Sequence, residues 1–172
     1  MFKLNFKRLC AMCLLAVMLF GLVGCKEEGV TGNEWLVIQK ACLEDLEAYA
    51  AGMDEVYTLY LTSAITQEDF LTEVRLLKAQ YITLNQFYDE MKTKNPVKEG
   101  THSYVSKRGT EGMEKCYSVL GKILDDTVDE QGRPKAPKEL SYTYLAYKQE
   151  LTTALSEYVT AIVWLEDSQK AA

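Results

Sequence analysis

The feature that most constrains this fold is a helical repeat of apolar residues in four stretches of the chain. Within each stretch the apolar positions are three or four residues apart, the spacing of one buried face on an α-helix. The third stretch is the weakest, because Gly109, Gly112 and Gly121 each cost about 1 kcal/mol relative to Ala, and its start is predicted at Ser103 or at Thr110. The inward positions are Trp35, Ile38, Cys42, Leu46, Tyr49, Met53, Val56 and Tyr60; Phe70, Val74, Leu77, Tyr81, Leu84, Tyr88 and Met91; Met113, Cys116, Leu120, Ile123 and Thr127; and Leu140, Tyr144, Tyr147, Leu151, Ala154, Tyr158, Ala161 and Leu165.

Helix start and stop signals separate the four stretches. Thr66 with Asp69 three residues later is typical of a helix N-cap. Segments 95–100 and 132–137 contain Pro and Gly and predict turns. No run of alternating apolar residues indicates a strand. We therefore expect an all-α fold, an antiparallel up-down four-helix bundle about 40–45 Å long.

The N-terminal segment has the pattern of a secretory signal. Lys3, Lys7 and Arg8 precede an apolar run over residues 9–22, which is shorter than the ~20 residues that span a bilayer. The run ends in Leu22-Val23-Gly24-Cys25, which resembles the lipobox of bacterial lipoproteins. An uncleaved single-span anchor is the alternative.

The lipoprotein resemblance implies that residues 1–24 are removed and that Cys25 is acylated. Residues 25–32 would then be the lipidated Cys and a tether, and residues 33–170 the helical bundle domain. The mature chain keeps 16 basic and 25 acidic residues, a net charge of −9. Stable attachment needs more than one acyl chain, such as palmitate, because a single chain binds a membrane only marginally. We expect an extracytoplasmic protein that is lipid-anchored to the bacterial cell membrane.

One connection in this acidic domain is basic. In the up-down arrangement the link between helices two and three returns to the membrane side, where each cation near an anionic leaflet gains roughly 1 kcal/mol. The sequence thus predicts a membrane-facing basic patch, with an ordinary solvated loop as the alternative. Its members, opposed only by Glu99, are Lys92, Lys94, Lys98, Lys107 and Arg108.

Motifs that carry chemistry are largely missing. A di-iron bundle needs two Glu-x-x-His pairs, and the chain has one, at Glu99 and His102, which is its only His. Residues 125–132 are similar to a calcium loop, but Glu130 stands where the turn Gly belongs and Ala136 where the bidentate Glu belongs. A nucleophile with an activating base is not apparent. We expect no enzymatic activity, no metal and no cofactor.

The remaining cysteines are predicted to be free core thiols. Cys10 and Cys13 lie in the discarded segment, which leaves Cys42 and Cys116 after Cys25 is acylated. In a square bundle helices one and three are diagonal, about 13 Å apart, and a disulfide needs Cα atoms within about 7 Å.

Tyrosine is the chain's compositional oddity, with all 11 residues in the mature part. Buried Tyr needs a partner for its hydroxyl, so the rings either pack inside with hydroxyls at the rim or line a pocket for a peptide, glycan or small ligand. Tyr57, Tyr117 and Tyr142 lie beside the inward stripe, and contact with a partner protein is the alternative interpretation for them. Possible ligand or partner contacts on the stripe are Tyr49, Tyr60, Tyr81, Tyr88, Tyr144, Tyr147 and Tyr158.

These patterns favour a non-enzymatic binding or interaction module, whose partner is either another envelope protein or a small ligand and is not identified by the sequence. The alternative is a ligand-holding sensor or accessory subunit of an envelope system, with a Tyr-lined pocket between helices. A pI near 4.9 argues against nucleic acid. The pattern does not predict the oligomeric state.

Overall fold

The protein is all-helical in the residues that its computed structural model describes, 30–94 and 103–170. The helices are α1, Gly32–Leu61; α2, Gln67–Lys94; α3, Ser103–Asp125; and α4, Pro137–Lys170. No strand forms in these residues, and β-pairing is limited to isolated bridge positions, at Val30 and between Val128 and Pro134. The predicted all-α class is confirmed, and the helix contacts are those of a bundle. The signal segment and Cys25 lie outside the described residues.

The helix starts follow the predicted chemistry. Thr66 accepts from the backbone N–H of Asp69 (3.1 Å) and donates to the Asp69 carboxylate (2.7 Å), which confirms the predicted N-cap. Thr31 forms a capping box with Glu34 at the start of α1. The third helix begins at Ser103, the earlier of its two predicted starts.

The predicted inward faces are in the core. All the predicted positions of α1 and α3 are buried, and so are those of α2 and α4 apart from the half-buried Tyr81, Leu84 and Tyr147. Burial also extends beyond the predicted stripes. Tyr57 and Tyr117 are almost fully buried, so the alternative interpretation, contact with a partner protein, is wrong for these two. The reason is that α1 contacts α2, α3 and α4, and its buried face is wider than one stripe.

Two glycines of α3 accommodate aromatic residues of the other helices. A Cβ at Gly109 would lie 2.4 Å from the ring of Trp35, and a Cβ at Gly112 would lie 3.1 Å from the Tyr158 Cα. Removing the side chain at these positions lets α3 approach both α1 and α4 closely. The glycines that weaken the helical pattern of α3 therefore make its packing possible.

Cys42 and Cys116 are free and buried, as predicted. The helices that carry them, α1 and α3, touch less extensively than α1 touches α2 or α4. Burial raises the pKa of each thiol to about 12, so both are protonated at neutral pH.

Candidate functional site

The tyrosine hydroxyls are satisfied inside the bundle. Five of the seven stripe tyrosines donate to a main-chain carbonyl oxygen of another segment, and two donate to a carboxylate. The acceptors are Leu77 O for Tyr49 (2.9 Å), Lys135 O for Tyr60 (3.0 Å), Tyr117 O for Tyr81 (2.9 Å), Thr110 O for Tyr88 (3.3 Å), Gln39 O for Tyr158 (2.9 Å), Asp54 Oδ1 for Tyr144 (2.7 Å) and Asp126 Oδ2 for Tyr147 (2.6 Å).

A phenol is neutral at neutral pH, because the pKa of tyrosine is ordinarily about 10. Burial raises the pKa of Tyr49, Tyr88 and Tyr158 further above that value. A neutral phenol donates its proton, which matches carbonyl acceptors. The geometry favours the explanation in which the rings pack inside and their hydroxyls join neighbouring segments.

The aromatic rings form two clusters rather than one lined cavity. In the first, Tyr57 stacks on Tyr144 with ring centroids 4.5 Å apart, and Tyr60 stacks on Phe70 at 3.9 Å. The second is centred on Tyr117, which stacks on Tyr88 at 5.3 Å. The seven tyrosines are therefore distributed along the bundle. Ligand contact by them remains a prediction.

A small groove lies where α1 meets α4. Its volume is about 200 Å³, and Asp54, Tyr144 and Lys148 carry its polar groups. Asp54 accepts from Lys148 Nζ (2.5 Å) and from the Tyr144 hydroxyl (2.7 Å). Partial burial opposes ionisation of Asp54, but these hydrogen bonds outweigh it and lower the pKa of the carboxyl. The other lining residues are Ala50, Ala51, Met53, Ile123, Leu151, Thr152 and Leu155.

The predicted basic patch is partly neutralised by acids of α3. Lys92 forms an ion pair with Glu114, and Lys107 lies 3.9 Å from Glu111. Arg108 is exposed near the start of α3. Lys94 is the last residue of α2, and Lys98 lies outside the described residues. The sequence pattern does not reveal the pairing of Lys92, because Glu114 comes from an adjacent helix. Glu111, in contrast, stands four residues after Lys107 on the same helix.

The segment similar to a calcium loop is organised by Asp129. Its carboxylate accepts from the backbone N–H groups of Gln131 and Arg133 and from Arg133 Nε, each at 2.9 Å. These bonds, together with the Arg133 ion pair, close the turn. Within the described ranges no group of three or more His, Cys, Asp or Glu residues is placed to hold a metal, and His102 lies outside them.

Large apolar side chains are exposed at two separate places on α4. Tyr142 (71% exposed) and Leu145 (61%) lie near its start, and Trp164 (67%) lies near its end beside the exposed Val163. Tyr142 is exposed, as its alternative interpretation requires, whereas the sequence interpretation missed Leu145 and Trp164. Both are apolar residues out of step with the buried repeat, a signal present in the sequence.

None of the helices in the described part of the chain combines the length and apolarity needed to cross a bilayer. No family model, curated protein or solved structure matches the chain.

Proposed function

We propose that this chain is an extracytoplasmic bacterial lipoprotein, acylated at Cys25 after removal of residues 1–24, whose bundle is a non-enzymatic interaction module. The lipobox-like Leu22-Val23-Gly24-Cys25 carries the localisation. The start of the folded domain supports it, because Val30 is already packed in the core and Thr31 caps α1. The packed domain therefore begins inside the segment 25–32 that the sequence assigns to the tether, which leaves residues 25–29 as the proposed tether.

We further propose an antiparallel up-down course for the four helices. The support comes from hydrogen bonds and ion pairs between helices. As the residue number increases along one helix, the number of its bonded partner decreases along the other. For α3 and α4 these are Lys115 with Glu157 and Lys122 with Glu150. For α2 and α3 they are Lys78 with Asp125 and Lys92 with Glu114; for α1 and α4, Gln39 with Tyr158 and Asp54 with Tyr144.

In this arrangement the start of α4 lies at the end of the bundle away from Cys25. The exposed pair Tyr142 and Leu145 is then presented away from the lipid surface, where another envelope protein has access to it. Exposed aromatic and apolar side chains are the groups that proteins bury in complexes. This exposed pair is the observation that favours a protein-binding module.

The anchor is tested with the full chain and a Cys25→Ser variant, grown with an alkyne-labelled fatty acid. Acylation at Cys25 predicts label and membrane flotation for the unchanged chain and loss of both for the variant. A chain that retains label after the substitution contradicts the proposal.

The partner surface is tested by photo-crosslinking in cells of the source organism. A photoreactive residue at Tyr142 is expected to give a discrete crosslinked product that is absent when the residue is placed at Thr153. Thr153 is the matched control because it is also exposed on α4. The same product from both positions would argue against a specific surface there.

The ligand-holding sensor or accessory subunit is a second proposal, favoured only by the groove between α1 and α4. At about 200 Å³ this groove is smaller than the roughly 300–1,000 Å³ of usual ligand pockets. Native mass spectrometry of the full processed protein distinguishes the ligand-holding proposal from the interaction module. An adduct of constant mass supports a ligand, and a bare protein supports the interaction module.

A further inference from the structure

We infer that the outer face of the last turns of α4, centred on Trp164, inserts into the lipid interface of the membrane that carries the anchor. This inference rests on the proposed acylation of Cys25 and on the up-down course. To the proposed anchor, the inference adds which face of the bundle contacts lipid. The central residue of that face, Trp164, is not a member of the predicted basic patch.

The chemistry of Trp164 fits the interface between lipid and water. The chain has two tryptophans, of which Trp35 is 3% exposed and Trp164 is 67% exposed. Indole combines a large apolar ring with one N–H donor, and it concentrates at the headgroup level of membranes. Val163, the residue before Trp164, adds a second exposed apolar side chain.

The neighbouring helices continue this face. Tyr158 bonds to Gln39 and Glu166 pairs with Lys40, so the exposed Val37 of α1 lies level with the last turns of α4. On the other side, Lys115 pairs with Glu157. Arg108 of α3 is about two helical turns before Lys115, and Trp164 of α4 is about two helical turns after Glu157. Since the two helices are antiparallel in the proposed arrangement, Arg108 lies level with Trp164.

Charges on this face are mixed. Lys107 lies near Glu111, Lys115 pairs with Glu157, and Lys40 pairs with Glu166. Balanced charge gives little net attraction to anionic lipid, so burial of the apolar side chains carries the contact. The contact is therefore expected to persist at high salt, where exposed charges are screened.

The anchor keeps this face close to the bilayer. Five residue steps separate Cys25 from the packed Val30, a reach of at most about 18 Å. Trp164 lies six residues before the last residue of α4, about 9 Å along the helix. A modest tilt of the bundle brings the indole to the headgroups. A protein partner fits the site less well, because the tether leaves little room beneath the domain.

The experiment uses the full acylated protein in vesicles of phosphatidylcholine and phosphatidylglycerol that contain brominated acyl chains. Bromine quenches indole fluorescence only at contact range. We expect quenching and a blue shift of emission for the unchanged protein, both lost in Trp164→Phe and both retained at high salt. Leu76→Ser, an exposed apolar position of α2 far from the anchor, is the matched control and is expected to keep full quenching.

The outcomes separate this inference from the anchor itself. Protein that floats with the vesicles but shows no Trp164-dependent quenching overturns the inference and leaves the lipoprotein proposal intact. Quenching that disappears at high salt overturns insertion in favour of a charge contact. Protein with no acyl mass at Cys25 and no flotation removes the proposed anchor, and the inference with it. Circular dichroism of Trp164→Phe verifies that loss of quenching does not come from unfolding.

Discussion

Helices α2 and α3 differ in a way that their sequences do not suggest. α2 has a regular apolar repeat and a well-formed N-cap at Thr66, yet Tyr81 and Leu84 are only half-buried, and Leu76 and Ile82 are exposed. α3 contains three glycines, yet its predicted inward positions are all buried and it forms the most extensive contact in the bundle, with α4.

The difference shows how packing outweighs helix propensity. Each glycine costs α3 about 1 kcal/mol of propensity, whereas close approach to another helix buries several side chains worth about 1.5–3 kcal/mol each. Gly112 gives α4 access to the backbone of α3, and Gly109 gives Trp35 a place to pack. Although its glycines give α3 a low helix propensity, α3 thus forms the most extensive helix contact of the bundle.

The largest expected effect comes from restoring a side chain at Gly112. Val at this position places its Cβ about 3.0 Å from the Cβ and 3.1 Å from the Cα of Tyr158, and a helix backbone cannot yield. We expect Gly112→Val to lower the free energy of unfolding by about 3 kcal/mol, the usual range for overpacking. Urea denaturation followed by circular dichroism measures it.

Two glycine controls sharpen that result. Nothing lies within 4 Å of a Cβ at Gly52 in α1, so Gly52→Ala should stabilise the protein by up to about 1 kcal/mol. A Cβ at Gly121 would first meet the end of the Tyr81 side chain of α2, 2.8 Å from the hydroxyl and 3.3 Å from the nearest ring carbon. Because a flexible side chain yields, Gly121→Ala should stay within about 0.5 kcal/mol of the unchanged protein. A Gly121→Ala loss as large as that of Gly112→Val would contradict this explanation.

A smaller loss of stability is expected when the hydroxyl of Tyr158 or of Tyr81 is removed, and the two losses should differ. The Tyr158 hydroxyl bonds both the main-chain oxygen and the side-chain oxygen of buried Gln39, at 2.9 and 2.7 Å. Tyr158→Phe leaves those groups without their donor, and we expect a loss of about 2 kcal/mol. Tyr81→Phe, on the half-buried surface between α2 and α3, should lose about 1 kcal/mol or less. Equal losses would show that α2 packs as tightly as α4.

The smallest effect is a pH dependence where α1 meets α4. The lowered pKa of Asp54 means that its ionised form stabilises the folded state above the unfolded-state pKa. That contribution falls as the pH drops from the ordinary range of aspartate through the lowered value. Asp54→Asn should therefore lower stability by under about 1 kcal/mol at neutral pH and flatten the acid limb of a stability profile. An unchanged acid limb in the variant would remove Asp54 as its source.

The sequence was sufficient for the helices but not for how they meet. Spacing and caps predict all four helices, and the α1 stripe from Trp35 to Tyr60 is buried throughout. The helical period of apolar residues shows which side of a helix is buried but not how wide the buried face is. It therefore could not show that Tyr57 and Tyr117 are also enclosed. Gly109 counts only as a cost until Trp35 is placed against it.

The candidate surfaces were harder to predict for a different reason. A place beside the stripe does not decide exposure, because Tyr142 is exposed there while Tyr57 and Tyr117 are buried. Compensation of Lys92 by Glu114 likewise depends on which helices are adjacent. The tyrosine acceptors are mostly carbonyl oxygens, which every residue possesses. No pattern of side-chain letters could therefore identify them.

The use of carbonyl acceptors has a consequence for how this domain tolerates change. The oxygen that receives the Tyr49 hydroxyl belongs to the backbone of Leu77, and that of Tyr81 to Tyr117. Any residue type supplies the same oxygen, so the hydroxyl contact itself places no demand on the side chain at the receiving position. In a set of related chains, we expect the tyrosines to stay constant for this contact, whereas Leu77 and Tyr117 are restricted only by their own burial in the core.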